Sequence, residues 1–329
     1  MPKSNASLKP AILGMIDYSL IIPVYRNEGS IAELLDAMDF IQSGLDGALE
    51  VVFVVDGSPD RSHERLLEGT SGRRFRSKIV LLSRNFGSFA AIREGLLCAK
   101  GDWLAVMAAD LQEPPELMLE FFQTLRREPV DVVVGTRAAR SDPWLDRWAS
   151  KLFWGAYRAL VQPEVPKGGI DVFGCNRAFR DQLVRLNEVN SSLVGQVIWL
   201  GFRRREIPYE RRERRHGRSA WTFSRKLKYL MDSIFSFSDF PIRLLFASGA
   251  IGLVVSVGVG VLVSTARLLD WIRVPGYAAT LLVILFFAAL NLLGLGILGA
   301  YVWRAFENTK QRPSAVVLMT HEIEASKAE

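Results

Sequence analysis

Residues 19–60 read SLIIPVYRNEGSIAELLDAMDFIQSGLDGALEVVFVVDGSPD, and this stretch predicts a strand, a helix and a second strand in succession. Its two apolar runs, residues 19–24 and 51–55, are short and rich in β-branched side chains, which is typical of buried strands. Between them, apolar residues recur at helical spacing from Ile31 to Met38. The unit is therefore βαβ.

The same alternation continues through three more strands. Apolar runs at residues 79–82, 103–107 and 131–134 are separated by segments with helical spacing, such as residues 91–99. This order predicts an α/β domain with a largely parallel sheet and helices on both faces. Such sheets bind ligands beyond the carboxyl ends of their strands, so the polar residues just after each run are the candidate functional residues.

Composition excludes several protein classes. Cys98 and Cys175 are the only cysteines and form no CxxC pair, so we expect neither a disulfide scaffold nor a structural metal cluster. No cleaved signal peptide is expected, which leaves the first domain in the cytosol. Much of the net charge of +6 lies in residues 203–218 beside a membrane segment, which favours phosphates and anionic lipid headgroups over nucleic acid as partners. A solvated strand face is the alternative for that arginine-rich stretch.

Two C-terminal stretches predict transmembrane helices. Residues 244–266 and 274–303 contain no charged side chain, and each exceeds the roughly 20 residues needed to cross a bilayer. Basic residues flank the outer ends of this pair, which predicts an inner (cytoplasmic) membrane protein with both termini in the cytosol. A pair of buried core helices is the alternative.

Two more stretches have the makeup of amphipathic helices that lie on a membrane. Residues 143–161 and 221–240 both mix aromatic and aliphatic side chains with basic ones. For the first stretch, a helix packed on the sheet is the alternative.

Polar residues at the strand ends suggest phosphate and metal chemistry. Asp56, in DGSPD, could accept bonds from a base or ribose, although DGSPD alone predicts only a turn. Arg84, in SRNFG, lies where a helix N-terminus could bind an anion. Asp110 and Gln112 offer oxygen ligands suited to Mg²⁺ or Mn²⁺, and Arg137 suits a phosphate clamp.

Taken in order, these motifs resemble the family 2 glycosyltransferases. More narrowly, the chain resembles the polyprenyl-phosphate glycosyltransferases, which include dolichol-phosphate mannose synthase and bacterial glucosyl-carrier synthases with two C-terminal spans. The resemblance covers about residues 18–305. The motifs are PVYRNE, VDGSPD, LSRNFG, ADLQEPPE, VVVGTR, GGIDVFGCNR and DSIFSFSDFPIRL.

The resemblance implies a GT-A (Rossmann-like) fold, inverting transfer from a nucleoside-diphosphate sugar, and Mg²⁺ or Mn²⁺ as cofactor. It also implies a homo-oligomer such as a tetramer. Asp110 and Gln112 would face the metal, and Arg137 the phosphates. The residues expected to hold the nucleoside are Pro23, Tyr25, Glu28 and Asp56.

Two further positions carry over from the family. Asp171 occupies an acidic position near the acceptor and the anomeric carbon, which makes Asp171 and the metal-facing Asp110 the catalytic candidates; a turn cap is the alternative for Asp171. Arg214, Gly217 and Ser219 match a loop that closes over a diphosphate or lipid phosphate.

The chain departs from the family pattern in three places. Val55 and Ala108 stand where the family usually has the first acidic residue of each motif, and Ala220 replaces a common lysine. The missing carboxylate leaves metal dependence open, and the altered loop leaves open a larger acceptor.

We therefore expect sugar transfer to polyprenyl phosphate, such as undecaprenyl phosphate. Extension of a lipid-linked saccharide and a non-catalytic scaffold that binds nucleotide sugar are the alternatives. The expected segments are an N-terminal tail (1–17), a cytosolic GT-A domain (18–220), an interfacial helix (221–242), two spans (243–304) and a cytosolic tail (305–329).

Overall fold

The computed structural model describes residues 16–137, 154–155, 157–166, 169–188, 190–213, 223–269 and 277–326. The strands are β1 (Tyr18–Val24), β2 (Leu49–Val55), β3 (Arg76–Leu82), β4 (Trp103–Val106), β5 (Val132–Arg137), β6 (Val172–Asn176), β7 (Arg204–Tyr209) and β8 (Val317–Ile323). The helices are α1 (Ile31–Ser43), α2 (Ser62–Thr70), α3 (Ser88–Cys98), α4 (Pro115–Arg127), α5 (Arg177–Leu183), α6 (Leu193–Trp199), α7 (Phe223–Phe237), α8 (Phe240–Leu268) and α9 (Tyr277–Thr309).

The described strands form one mixed sheet in the order β7-β5-β6-β4-β1-β2-β3-β8. Neighbouring strands β3, β2, β1 and β4 are parallel, and β5 is parallel to β7. The five strands predicted from apolar runs are all present, and the α/β class is confirmed. The prediction lacked β6 and β8, which are both antiparallel to their neighbours, and it gave β7 only as the alternative for the arginine-rich stretch.

The sheet is buried on both faces, which explains its continuous apolar strands. Every residue of β2 is buried. Helices α1, α2 and α4 cover one face and enclose a core that includes Phe53 and Phe121. Helices α3, α5 and α6 cover the other face, and α7 adds Ile234 to its core. Two apolar layers therefore fix the sheet and hold its strand ends in place.

Part of the segment expected as a C-terminal tail, residues 305–329, belongs to α9 and to the sheet. Helix α9 continues to Thr309, and β8 then adds to the edge of the sheet beside β3. Its register runs from Ser77 opposite Ile323 to Leu82 opposite Val317. The pairing satisfies backbone groups of β3 that an edge strand would leave open.

Helices α8 and α9 are long and apolar enough to cross a membrane. The candidate spans are Phe240–Val263 and Phe286–Thr309, and only 6% of the most apolar part of each is buried. They are therefore not core helices of the sheet domain. At the end of α9, Arg304 donates to Asp232 of α7 at 2.7 Å and to the carbonyl oxygen of Asn190 at 3.0 Å. This junction ties the second candidate span to the sheet domain.

The two stretches expected to be amphipathic both contact the sheet domain where they are described. Residues 143–153 lie outside the described residues, but Tyr157 is fully buried against the sheet, which favours the packed alternative for this part. In α7, the Tyr229 hydroxyl accepts from Ser192 Oγ at 2.7 Å, and the Tyr229 ring stacks on Tyr157. Leu227 and Met231 of α7 remain exposed.

Candidate active site

Hydrogen bonds hold the loops after β1 and β2 together. The N–H of Arg26 donates to Ser58 Oγ at 2.7 Å, and the N–H of Glu28 donates to Asp60 Oδ2 at 3.1 Å. The Glu28 carboxylate in turn accepts from the N–H of Arg61 at 3.0 Å. Burial opposes ionisation of Asp60, but the hydrogen bonds from Ser58 and its neighbours lower the Asp60 pKa overall. These loops therefore form a braced surface.

The other residues expected to face the nucleoside lie on the same surface. Pro23 is half-buried at the end of β1, opposite Val54 of β2. Tyr25 follows it with its ring beneath the Arg26 guanidinium, 5.4 Å from the ring centroid. Arg26 has a φ of 56°, which is uncommon for a residue other than glycine and places a strained backbone at this strand end.

Asp56 binds the backbone of the loop between β3 and α3. Its side chain is 2% exposed, and its two oxygens accept from the N–H groups of Phe86 at 2.7 Å and Gly87 at 2.9 Å. Burial raises the pKa of Asp56, although these two donors and Arg84 oppose the shift. We call residues 83–87 the 83–87 loop, and Asp56 caps it. The structure thus brings together Asp56 and Arg84, which were both expected to bind substrate.

Gly57 permits this close approach. Its φ is 55°, and a Cβ there would lie 2.3 Å from the carbonyl carbon of Arg84. Arg84 itself extends over the Phe86 ring, with its guanidinium 4.0 Å from the centroid, and donates to the carbonyl oxygen of Asn85. The guanidinium is therefore held at the rim of the strand ends.

Asp110 and Gln112, the expected metal ligands, form a tight turn after β4. Leu111 between them has a φ of 55°, and the Gln112 N–H donates to Asp110 Oδ1 at 3.2 Å. The Gln112 side chain lies against the segment that follows β7. Its Oε1 accepts from the Arg211 guanidinium, and its Nε2 donates to the carbonyl oxygen of Arg212 at 3.4 Å.

Glu113 is a buried carboxyl group that sequence reasoning missed. It is 3% exposed, and its Oε2 accepts from the N–H of Ala108 at 3.3 Å. Burial, together with the negative charges of Asp110 and Asp171, raises the pKa of Glu113 to about 7, although Arg211 opposes the shift. The only sequence signal for Glu113 was its place in the motif ADLQEPPE. An acidic residue in a loop is ordinarily exposed, so the motif offered no reason to expect its burial.

Arg137, Asp171 and Tyr209 form a connected cluster. Strand β6 is antiparallel to β5, so it begins at the edge of the sheet where β5 and β7 end. Asp171, just before β6, accepts from Arg137 through both carboxylate oxygens, with Nη2 to Oδ1 at 2.9 Å. The Tyr209 hydroxyl donates to Asp171 Oδ2 at 2.9 Å. Burial and the nearby carboxylates of Asp171 and Glu113 raise the Tyr209 pKa, so this hydroxyl stays a donor.

The strand ends therefore carry carboxylates and arginines on one edge of the sheet. Within the described residues, no group of three His, Cys, Asp or Glu side chains could hold a metal ion on its own. Arg214, Gly217 and Ser219 lie outside the described residues, so the structure gives no position for the loop they were expected to form.

Comparison with known proteins identifies the family. Residues 19–186 match the family described as glycosyl transferase family 2. The chain belongs to glycosyl transferase family 2. It is therefore a glycosyltransferase, and the expected GT-A-like fold is confirmed.

Relatives match this family 2 glycosyltransferase over nearly its whole length. An uncharacterised glycosyltransferase of Synechocystis sp. is 30% identical over 303 residues, which cover 92% of this chain and 95% of the relative. An undecaprenyl-phosphate 4-deoxy-4-formamido-L-arabinose transferase of Edwardsiella ictaluri is 33% identical over 305 residues, covering 90% of this chain and 91% of the relative.

Solved structures match the sheet domain at a lower level. A glucosyl-3-phosphoglycerate synthase of Mycobacterium tuberculosis, in complex with Mn²⁺, uridine diphosphate and glucosyl-3-phosphoglycerate, aligns with a TM-score of 0.44 and 18% identity. The alignment covers 62% of this chain and 73% of that chain.

Proposed function

We propose that this glycosyltransferase transfers a sugar, with inversion, from a nucleoside-diphosphate sugar to polyprenyl phosphate at the cytosolic membrane face. The observation that carries the proposal is the combination of an Arg- and Asp-lined strand edge with two candidate membrane spans in one chain. A relative that covers both parts is named an undecaprenyl-phosphate transferase, which supports a lipid phosphate acceptor.

The donor nucleoside would bind at the ends of β1 and β2, where Pro23, Tyr25 and the braced Glu28 meet. The 83–87 loop, held by Asp56, would contribute Arg84 near the phosphates. The carboxylate of Asp56 already accepts two backbone N–H groups. Its contribution to donor binding would therefore be to shape the loop.

The residues after β4 fit a divalent cation that shares its ligands with the donor. Mg²⁺ is usually held by one or two carboxylates together with substrate phosphates. Asp110 would supply the carboxylate and Gln112 a carbonyl oxygen, which in this structure accepts from Arg211. When bound, the cation would neutralise charge on the departing diphosphate.

The reaction follows from charge placement. An oxygen of the acceptor phosphate attacks the anomeric carbon, the bond from that carbon to the diphosphate oxygen breaks, and the nucleoside diphosphate leaves with the electron pair. A phosphate monoester is largely ionised near neutral pH because its second pKa is about 6, so the acceptor needs no strong base. Asp171, fixed by Arg137 and Tyr209, would orient the acceptor or the sugar. If the acceptor were a sugar hydroxyl, Asp171 would have to take its proton.

The acceptor would reach this edge from the membrane interface. A cavity of about 670 Å³ lies where α7 meets α8, between α6 and α9. Trp199 and Phe237 line it with apolar surface, and Ser238 and the ion pair of Arg243 with Asp239 line it with polar groups. Such a mixed lining suits a lipid near its headgroup. Both chain termini would lie in the cytosol of an inner-membrane protein.

The test is product formation with purified full-length protein. Detergent-solubilised enzyme is incubated with undecaprenyl phosphate and a panel of nucleotide sugars, with Mg²⁺, with Mn²⁺ or with a chelator, and lipid products are identified by mass spectrometry. We expect one donor to give a glycosyl phospholipid. A product that forms only on a lipid-linked saccharide would contradict the proposed acceptor.

A matched pair of variants tests the residue assignment. Asp110→Asn should abolish transfer if this carboxylate organises the cation, whereas Asp102→Asn should not, because Asp102 lies before β4 at the opposite edge and pairs with Arg177 at the surface. Full activity of Asp110→Asn would refute its role.

A further inference from the structure

The segment after the second candidate span contacts the 83–87 loop directly. The carbonyl oxygen of Val316 accepts from the N–H of Ser83 at 2.9 Å, and Ser83 is the first residue of that loop. Ala315 beside it is 7% exposed and packs into the core on the α3 face of the sheet. The strand pairing shifts register between Leu81 and Leu82, immediately before the loop.

Charged contacts fasten β8 at its other end. Glu322 accepts from Lys78 at 3.1 Å and from Lys100 at 3.4 Å. The Lys78 side chain is only 7% exposed and also lies 3.6 Å from the buried Glu50. Removing one partner of a partly buried ion pair destabilises a protein more than removing one partner of an exposed pair. Beyond them, Glu324 pairs with Arg76 at 2.9 Å.

The 83–87 loop is therefore held from two sides. Asp56 binds its distal end through the N–H groups of Phe86 and Gly87. Val316 binds its proximal end through Ser83. The first contact comes from the end of β2, inside the sheet domain, and the second comes from chain that has already passed through both candidate spans.

We propose that β8, together with residues 315–316, is a positioning element for donor binding: it holds the 83–87 loop in the shape that receives the donor phosphates. The inference rests on the proposed function for the role of that loop. Residues 310–316 join Thr309 to β8, and an extended chain spans at most about 3.5 Å per residue, so the end of the second span stays within about 28 Å of β8. The membrane anchor and the donor loop are thus coupled through one short connection.

Two matched aspartate substitutions test the proposal in the full-length protein. Ala315→Asp places a carboxylate at a buried position, whereas Leu318→Asp places one at a position that is 61% exposed. Because a buried unpaired charge is unfavourable, Ala315→Asp should detach this end of β8 and Leu318→Asp should not. Hydrogen exchange of the peptide containing residues 83–87 is measured first, without any substrate. We expect exchange about tenfold faster in Ala315→Asp and unchanged in Leu318→Asp.

Donor kinetics give the second readout. With the donor found in the product assay, the KM for donor should rise about tenfold in Ala315→Asp, which corresponds to about 1.4 kcal/mol. The kcat and the KM for lipid should stay within about twofold. A purely structural role would lower Tm and leave the donor KM unchanged, and that result would overturn the proposal. So would fast exchange in β8 with unchanged exchange in the 83–87 loop.

A second pair of variants tests the proposal if Ala315→Asp does not fold. Glu322→Gln removes the contacts with Lys78 and Lys100, and Glu324→Gln removes the exposed pair with Arg76. Faster exchange of the 83–87 loop is expected for the first substitution alone, and equal exchange in both variants would contradict the proposal. If the wild-type protein forms no glycosyl phospholipid, the proposed function fails, but the exchange measurements still decide whether β8 positions the loop.

Discussion

Asp56→Asn should weaken donor binding because it breaks the cap of the 83–87 loop. The carboxylate is 2% exposed and accepts two backbone N–H groups at 2.7 and 2.9 Å. An asparagine keeps one acceptor oxygen and turns an NH₂ group toward the second N–H donor. Hydrogen bonds to charged groups contribute about 1.5–3 kcal/mol each, and the burial that raises the Asp56 pKa returns part of that loss. The net cost is about 2 kcal/mol, which corresponds to about 30-fold in the donor KM.

The assay compares Asp56→Asn with Asp102→Asn. Asp102 forms a surface pair with Arg177 at 3.2 Å at the other end of the sheet, so its variant controls for loss of a carboxylate. Donor KM, lipid KM and kcat are measured for both proteins, and hydrogen exchange reports the N–H groups of Phe86 and Gly87. A donor KM within twofold of wild type, with exchange at these two groups unchanged, would refute the capping role of Asp56.

Three other perturbations have defined outcomes. Because the Glu113 pKa is raised to about 7, its neutral form stabilises the fold fully below pH 4.5, and that stability is lost as pH rises through 7. The free energy of unfolding of Glu113→Gln should therefore exceed that of wild type by up to about 3 kcal/mol at pH 8, and the two Tm values should converge toward pH 4. A difference in stability that does not change with pH would contradict this. Arg137→Lys and Asp171→Asn should be non-additive in kcat/KM, since the two side chains form one pair; additive losses would argue against coupling. Arg304→Gln leaves Asp232 without its partner and should lower stability by about 2 kcal/mol in detergent; an unchanged Tm would contradict the junction.

The sequence predicts the parallel part of the fold well because burial on both faces produces a plain signal. Strands such as β2, buried throughout, must be apolar at every position. Strand β6 was not predicted because it is only five residues long and includes Gly174 and Asn176, so it lacks a continuous apolar run. Strand β8 was not predicted because it is an edge strand with mostly exposed side chains. It also follows a long apolar helix, which suggests that the folded domain has already ended.

Site residues are predictable as positions at strand ends, but their partners are not. Asp110 and Asp171 are placed on one edge by topology, and the contact of Asp171 with Arg137 depends on β6 being antiparallel, which no local pattern indicates. The engagement of Gln112 with Arg211 depends on where the chain passes after β7. Burial of Glu113 likewise depends on tertiary packing.

The most direct test of the central claim is the stoichiometry of transfer in one reaction. With purified enzyme, undecaprenyl phosphate and the donor that the panel identifies, released nucleoside diphosphate and glycosylated lipid phosphate are quantified together. The proposed reaction predicts one molecule of each per turnover and neither product when undecaprenol, which lacks the phosphate, replaces the acceptor. Release of nucleoside diphosphate without a matching amount of glycosyl phospholipid would contradict it.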